Sequence, residues 1–173
     1  GNGVCETGET NANCPADCPA LPTAPGLTVA LAADTPAATT IISDGTANAA
    51  GSQALIPVLK MNFSTPAGTS AKVTTLKFKR LGVCSDSDLD NAYLFEGGTK
   101  LAEMTSLASG VLTFTNSAGL FSVSGVKTLT LKFDLDKDSS SGKTIGFGIT
   151  AAADVTTDAA TVNGTFPMNG NLM

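Results

Sequence analysis

Apolar and polar residues alternate along most of the chain from Leu27 onwards. In the clearest run, Leu129, Leu131, Phe133 and Leu135 share one parity, and Thr, Lys and Asp residues take the other. Successive side chains of a β-strand point to opposite faces, so this run predicts a strand with one buried and one solvated face. Shorter runs of the same kind predict strands near residues 27–31, 55–63, 76–78, 92–96, 99–104, 111–115, 120–124, 145–149 and 157–163.

Glycine-containing pairs separate many of these runs, for example Gly97-Gly98, Ser124-Gly125 and Asn163-Gly164. Such pairs are typical of tight hairpin turns, so most neighbouring strands should be antiparallel. A helical spacing is hinted at only by Leu101, Met104 and Leu107. About nine strands without alternating helices predict an all-β fold, an antiparallel β-sandwich of immunoglobulin-like or jelly-roll type.

Residues 1–26 differ from the rest of the chain. Apolar side chains are scarce there, and four prolines interrupt any regular element. We therefore expect a Cys-rich appendage with a Pro-rich linker at residues 1–26, followed by a sandwich domain at residues 27–173.

The net charge of −5 disfavours contact with a phosphate backbone. Basic residues cluster only at Lys77, Lys79 and Arg80, within a predicted strand. Apolar runs are strand-length and fall short of the ~20 residues that a membrane helix needs. We expect neither nucleic-acid binding nor membrane insertion.

Four cysteines, Cys5, Cys14, Cys18 and Cys84, could close as two disulfides. Zinc is the competing interpretation, but the C-x8-C-x3-C spacing and the absence of histidine depart from common zinc sites. Disulfides are favoured, and they imply an oxidising compartment and hence a secreted protein.

The residue types needed for common catalytic sites are scarce. Without histidine there is no Ser-His or Cys-His pair. Carboxylate pairs such as Glu96 with Glu103 lie in predicted strands or turns without a sign of burial. We therefore expect no enzymatic activity.

Two acidic runs have the alternating spacing of calcium ligands. Neither continues as an EF-hand loop, which requires glycine at its sixth position and glutamate at its twelfth. Aspartates on the solvated face of a strand or turn are the favoured explanation. The runs are Asp86, Asp88, Asp90 and Asp134, Asp136, Asp138.

The first eighteen residues, GNGVCETGETNANCPADC, resemble a short Cys-rich repeat of secreted bacterial and archaeal surface proteins, roughly CGDGxCxxGE followed by NCPxDC. The resemblance implies calcium as a cofactor, with Asn2, Glu6, Glu9 and Asp17 as oxygen ligands. An equally open alternative is that Asn2 and Asp17 bind backbone groups in tight turns while the cysteines alone hold the loop.

The repeat usually opens with a further cysteine, whereas this sequence begins at Gly1. Three cysteines then stand where four are expected. The resemblance leaves two roles for Cys84: it could tie the appendage to the sandwich, or it could pair with a neighbouring molecule.

The stretches DLDNAYLFEGGTKLAE and GVKTLTLKFDLDKD, and the pattern over residues 27–171, resemble immunoglobulin-like modules of large prokaryotic surface proteins. The resemblance implies an extracellular, cell-surface location and a structural role. We expect a non-catalytic subunit of a filament, pilus-like fibre or surface layer that self-associates through sheet faces or through donated strands at residues 27–33 or 166–173.

The alternative is an adhesion or glycan-binding module of a larger secreted protein. Glycan sites generally use exposed aromatic platforms, and the chain has no Trp and only Tyr93. Two acceptor triplets, at Asn62 and Asn163, predict N-glycosylation, and strand parity places Asn62 on the solvated face.

Overall fold

The computed structural model of the chain describes residues 4–42, 54–136 and 142–173. Within these residues nearly all regular structure is β, apart from the short 3₁₀ helices Asp86–Asp88 and Ala152–Asp154. In chain order the strands are β1 Leu27–Leu31, β2 Ile56–Ser64, β3 Ala71–Leu81, β4 Leu89–Glu96, β5 Thr99–Glu103, β6 Ser106–Ala108, β7 Val111–Thr115, β8 Phe121–Val123, β9 Val126–Leu135, β10 Gly146–Ile149, β11 Val155–Thr157, β12 Val162–Asn163 and β13 Met168–Asn169.

The strands form two sheets, and the predicted all-β sandwich is confirmed. The front sheet has the order β12-β1-β2-β9-β4-β5. The back sheet has the order β13-β10-β3-β7-β6, with β8 and β11 also paired to β3. Neighbouring strands are antiparallel except β1 and β12, which run parallel.

The core lies between the two sheets and is built from the apolar parity of the strands. On β9, Leu129, Leu131 and Phe133 are fully buried, as the alternation predicts. Aromatic pairs join the sheets: the ring centroids of Phe133 and Phe147 are 6.0 Å apart. The interdigitation of both inner faces is what gives a sandwich its single core.

Strand β3 defines the long axis of the sandwich. Its eleven residues extend over about 35 Å. We call the end at which β3 begins, at Ala71, the upper end, and the end at which it finishes, at Leu81, the lower end.

Residues preceding β1 contact the upper end. Thr23 forms an isolated parallel bridge with Ser70, and Ala24 is 1% exposed and belongs to the core. The last residues of the predicted linker therefore pack against the sandwich.

One local prediction differs from the structure. Residues 157–163 are predicted as one strand, but the structure contains β11, which pairs with β3, and β12, which pairs with β1. This segment crosses from the back sheet to the front sheet. The strand predicted at residues 99–104 is present as β5, and the spacing of Leu101, Met104 and Leu107 forms no helix, since Leu107 lies in β6.

Candidate functional site

Two tight turns shape the Cys-rich appendage. In the first, the Glu9 amide donates to the Glu6 carbonyl at 3.0 Å, and Gly8 adopts a φ of 97°. In the second, the Cys18 amide donates to the Cys14 carbonyl at 2.9 Å. Glycine tolerates the left-handed backbone that the first turn requires. Together the turns bring the two ends of the segment into contact.

A disulfide joins Cys5 to Cys18 across this segment. Cys14 and Cys84 are free thiols. A disulfide acts mainly by restricting the unfolded chain, so this one holds a segment that has little apolar surface of its own. One of the predicted disulfides is therefore present.

Cys14 lies beside a buried carboxylate. Its thiol donates to Asp17 Oδ2 at 3.3 Å, and Asp17 is 7% exposed. This hydrogen bond raises the pKa of Cys14 above its usual value, and desolvation adds to the effect. Because the thiolate is the reactive and metal-binding form, Cys14 is a weak nucleophile at neutral pH.

The appendage gathers acidic and cysteine side chains around Glu9. Ligand atoms of Glu9, Cys14 and Asp17 lie within 4.8 Å of one another, as do those of Cys5, Glu9 and Cys18. Cys5 and Cys18 are joined in the disulfide and offer no thiolate, so Glu9, Cys14 and Asp17 are the possible ligands. The sulfur of Cys14 suits softer ions such as zinc, whereas calcium prefers oxygen alone. Of the predicted oxygen ligands, only Glu9 and Asp17 come together here.

The other two predicted calcium ligands do not join this group. Glu6 belongs to neither cluster, and its amide donates instead to Glu9 Oε2 at 2.9 Å. Asn2 lies outside the described residues. The calcium site remains a prediction.

Cys84 lies at the lower end, whereas the linker meets the upper end. It is 7% exposed, and its amide donates to the Thr144 carbonyl at 3.1 Å. Burial raises the pKa of its thiol, partly offset by the positive charge of Arg80, whose Nη1 is 3.2 Å from Sγ. A bond from Cys84 to the appendage is not formed in the structure, because the length of β3 separates the two regions.

The aspartates of the first acidic run bind different partners. Asp86 accepts from the Gly110 amide at 3.1 Å and from Arg80 Nε at 3.0 Å, and these contacts hold its pKa below the usual value, the Gly110 bond contributing most. Asp88 accepts from Lys143 Nζ at 2.6 Å. These two carboxylates stabilise the loop at the lower end and face different cations.

In the second run, Asp134 accepts from the Tyr93 hydroxyl at 2.7 Å and from the Leu55 amide at 2.7 Å. Asp138 lies outside the described residues. Where the structure describes the chain, the groups of three or more acidic or cysteine side chains that are close enough to hold a metal ion all lie in the appendage.

The two predicted glycosylation sites occupy different surroundings. Asn62 is half-buried on the outer face of the front sheet and accepts from Thr128 Oγ1 at 2.7 Å. Asn163 is exposed in β12, and its Nδ2 donates to Thr161 Oγ1 at 3.3 Å. Asn62 therefore lies outside the core, as strand parity predicts.

The outer face of the front sheet carries an aromatic pair that the sequence reasoning missed. Tyr93 and Phe95 contact each other edge to face, with ring centroids 6.4 Å apart. Lys132 Nζ lies 4.2 Å from the centre of the Phe95 ring, within cation–π distance. The signal in the sequence was their i, i+2 spacing on β4, which places both rings on one face.

A shallow groove of about 530 Å³ lies on this face next to the aromatic pair. Lys132 connects the two, because it lines the groove and its Nζ also lies over the Phe95 ring. Its wall includes Lys60, Thr130, Lys132, Pro57, Gly97 and Asp34. Hydroxyl and ammonium groups beside an aromatic ring could bind a polar, hydroxylated ligand.

The comparisons with protein families and with curated proteins return nothing similar: no family model and no curated protein matches the chain. In the described part of the chain, no helix has the length and apolar content needed to cross a bilayer.

Proposed function

We propose that this chain is a non-catalytic structural module of an extracellular, cell-surface assembly, such as a filament, pilus-like fibre or surface layer. The Cys5–Cys18 disulfide supports an oxidising location. The lack of histidine, the low charge content and the all-β sandwich support a packing role over a chemical one.

The observation that carries the proposal is the open edge of β1. Among the described residues, β12 pairs with it only at Leu27 and Thr28, and Gly164 lies against the Val29 carbonyl, so the open part of the edge begins after Val29. On the other side, β1 pairs with β2, and the Ala32 amide continues that ladder by donating to the Lys60 carbonyl. Because hydrogen-bonded pairs alternate in an antiparallel ladder, Leu31 directs its backbone N–H towards the open edge.

The open edge of β1 is uncharged and partly apolar. Leu31 is 38% exposed, and a groove of about 560 Å³ runs beside the strand, lined by Ala30, Leu31, Gly164 and Pro167. By contrast, the edge strand β5 carries the ion pair Lys100–Glu103 at 3.0 Å. Charged edges resist strand addition, so β1 is the better edge for pairing with another chain.

Both segments expected to act as donated strands are paired within their own chain. Residues 27–31 form β1, between β2 and β12. At the other terminus, β13 pairs with β10, and Met173 exchanges hydrogen bonds with Ile145. Donation of either segment would first have to break these contacts, so addition of a partner to the open β1 edge is the favoured mode of assembly.

Negative-stain microscopy and light scattering of the purified chain test this proposal. Leu31→Lys places a charge at the open edge, and Leu31→Pro removes the outward N–H. Leu21→Lys is the matched control, because Leu21 is similarly exposed, at 45%, but lies in the linker. Circular dichroism verifies that each variant is folded.

We expect fibres or lattices from the native chain and from Leu21→Lys, and single particles from both Leu31 variants. A native chain that stays monomeric at every concentration would contradict the structural role. Assembly of the Leu31 variants at the native level would contradict the choice of the β1 edge.

A glycan-binding module is the second candidate, favoured by the Tyr93–Phe95 pair and the adjoining groove. Aromatic rings provide the stacking surface that sugars need. A glycan array with the native chain and with Phe95→Ala tests it: binding that is lost in the variant supports this candidate, and an array without signal excludes it.

A further inference from the structure

The chain enters the sandwich at its upper end, and Met173 lies at its lower end. Thr23 bridges to Ser70, immediately before β3 begins at the upper end. Met173 pairs with Ile145, immediately before β10, whose Gly146 lies opposite Leu81 at the lower end. A force applied between these two ends therefore runs along the strands.

At the lower end, the last six residues run antiparallel to β10. Gly170 N donates to the Phe147 carbonyl at 2.9 Å, and Met173 and Ile145 exchange bonds of 2.8 and 3.2 Å. Packing around this segment is tight: Met168 is 5% exposed, and a Cβ on Gly148 would lie 2.3 Å from Asn169 Oδ1. We call residues 168–173 with β10 the lower clamp.

At the upper end, the chain entering β1 is also hydrogen-bonded. The Ala24 amide donates to the Ser70 carbonyl at 2.6 Å, and the Ser70 amide donates to the Pro22 carbonyl at 3.0 Å. Further along, the Leu27 amide donates to the Thr161 carbonyl at 2.8 Å. We call residues 22–27 with these partners the upper clamp.

Hydrogen bonds between strands lie across the strand axis. A pull along the axis loads all the bonds of a clamp together, whereas a pull across the axis opens them one after another. Resistance to force depends on the rate of unfolding, which falls when several bonds must break at once. Both clamps have the geometry in which the bonds share the load.

We propose that the sandwich is a tension-bearing unit, which resists force along its strands through the upper and lower clamps. The biological use of this property rests on the proposed function, because a module of a cell-surface assembly would transmit force between its neighbours. The property itself belongs to the single folded chain and requires no assembly.

Single-molecule pulling tests the inference. In one arm, handles are attached at the two ends of the full chain. In the other, handles are attached through azide-bearing residues at positions 67 and 98, in turns that both lie at the upper end. Ala67 is exposed, and a side chain at Gly98 would meet nothing within 4 Å. Denaturant unfolding without force confirms that both preparations have the same stability.

We expect an unfolding force at least about threefold higher for the end-to-end pull at the same loading rate, because at least three bonds of the lower clamp share the load. An equal or lower end-to-end force would overturn the inference. The result is separable from the test of assembly. If the chain forms fibres but unfolds at a low force, only the tension-bearing role is refuted. If the chain unfolds at a high force but never assembles, only the proposed function is refuted.

Discussion

Removing the carboxylate of Asp134 should lower the pKa of Tyr93. The Tyr93 hydroxyl donates to Asp134 Oδ2 at 2.7 Å, and this bond is the largest of the effects that raise the pKa of Tyr93 from 10.0 to about 12. Only the neutral phenol can donate this hydrogen bond, and the negative charge of the carboxylate repels a phenolate, so both effects disfavour ionisation of Tyr93. In Asp134→Asn the charge is lost, and the pKa should return towards 10.

The size of the effect is large near pH 11. With a pKa of about 12, roughly a tenth of Tyr93 is ionised at pH 11, compared with about nine tenths of an unperturbed tyrosine. The folded-state pKa is raised, so the stability contributed by this bond is complete below pH 10 and is lost as the pH rises towards 12. Asp134→Asn should therefore lessen the alkaline destabilisation.

Absorbance at 295 nm measures the ionisation directly, because the chain contains one tyrosine and no tryptophan. A stopped-flow jump to each pH gives an initial amplitude for the folded state before any unfolding, which far-UV circular dichroism follows separately. Glu96→Gln, on the same strand as Tyr93, is the charge control and should leave the midpoint unchanged. A native midpoint near 10 in the folded state, or equal midpoints for the native chain and Asp134→Asn, would refute the reasoning.

Two further predictions concern the core and the cysteines. Phe133→Ala should lower the free energy of unfolding by about 3–5 kcal/mol in urea denaturation, because Phe133 is fully buried. The control Val126→Ala lies on the same strand but is 72% exposed, and it should lower the free energy of unfolding by less than about 0.5 kcal/mol. Equal losses would contradict the assignment of the core. Iodoacetamide at alkaline pH should label Cys14 in the folded chain and Cys84 only after unfolding; a non-reducing peptide map that joins Cys84 to another cysteine would contradict the thiol assignment.

Strand parity predicted the fold because burial on one face imposes a period of two. The prediction is confirmed in detail for β9, where buried positions alternate with half-buried ones from Leu129 to Leu135. It fails at the start of β2, where the ladder shifts between Pro57 and Leu59. This bulge reverses the parity, so Ile56 is buried, while Leu55 has a φ of 54° and is 47% exposed.

The candidate sites were harder to predict because they depend on long-range register. Tyr93 and Asp134 are 41 residues apart in sequence, and they meet because Tyr93 lies opposite Lys132 in the β4–β9 ladder. A shift of one residue would send these side chains to the other face. In the appendage, the spacing of three cysteines could not determine which pair closes, and the bond between Cys5 and Cys18 follows from the turn geometry.

The open edge and the two clamps bear on how such a module could work in an assembly. Strand addition at β1 would form bonds across the strand axis, on one side of the front sheet. Tension between the ends would run along that axis, through residues 22–27 and 168–173. The two directions are perpendicular, so a sideways contact at β1 would leave both clamps intact. It would also add bonds to β1, the strand that directly follows the upper clamp. Under this proposal, lateral assembly increases the force that each module withstands.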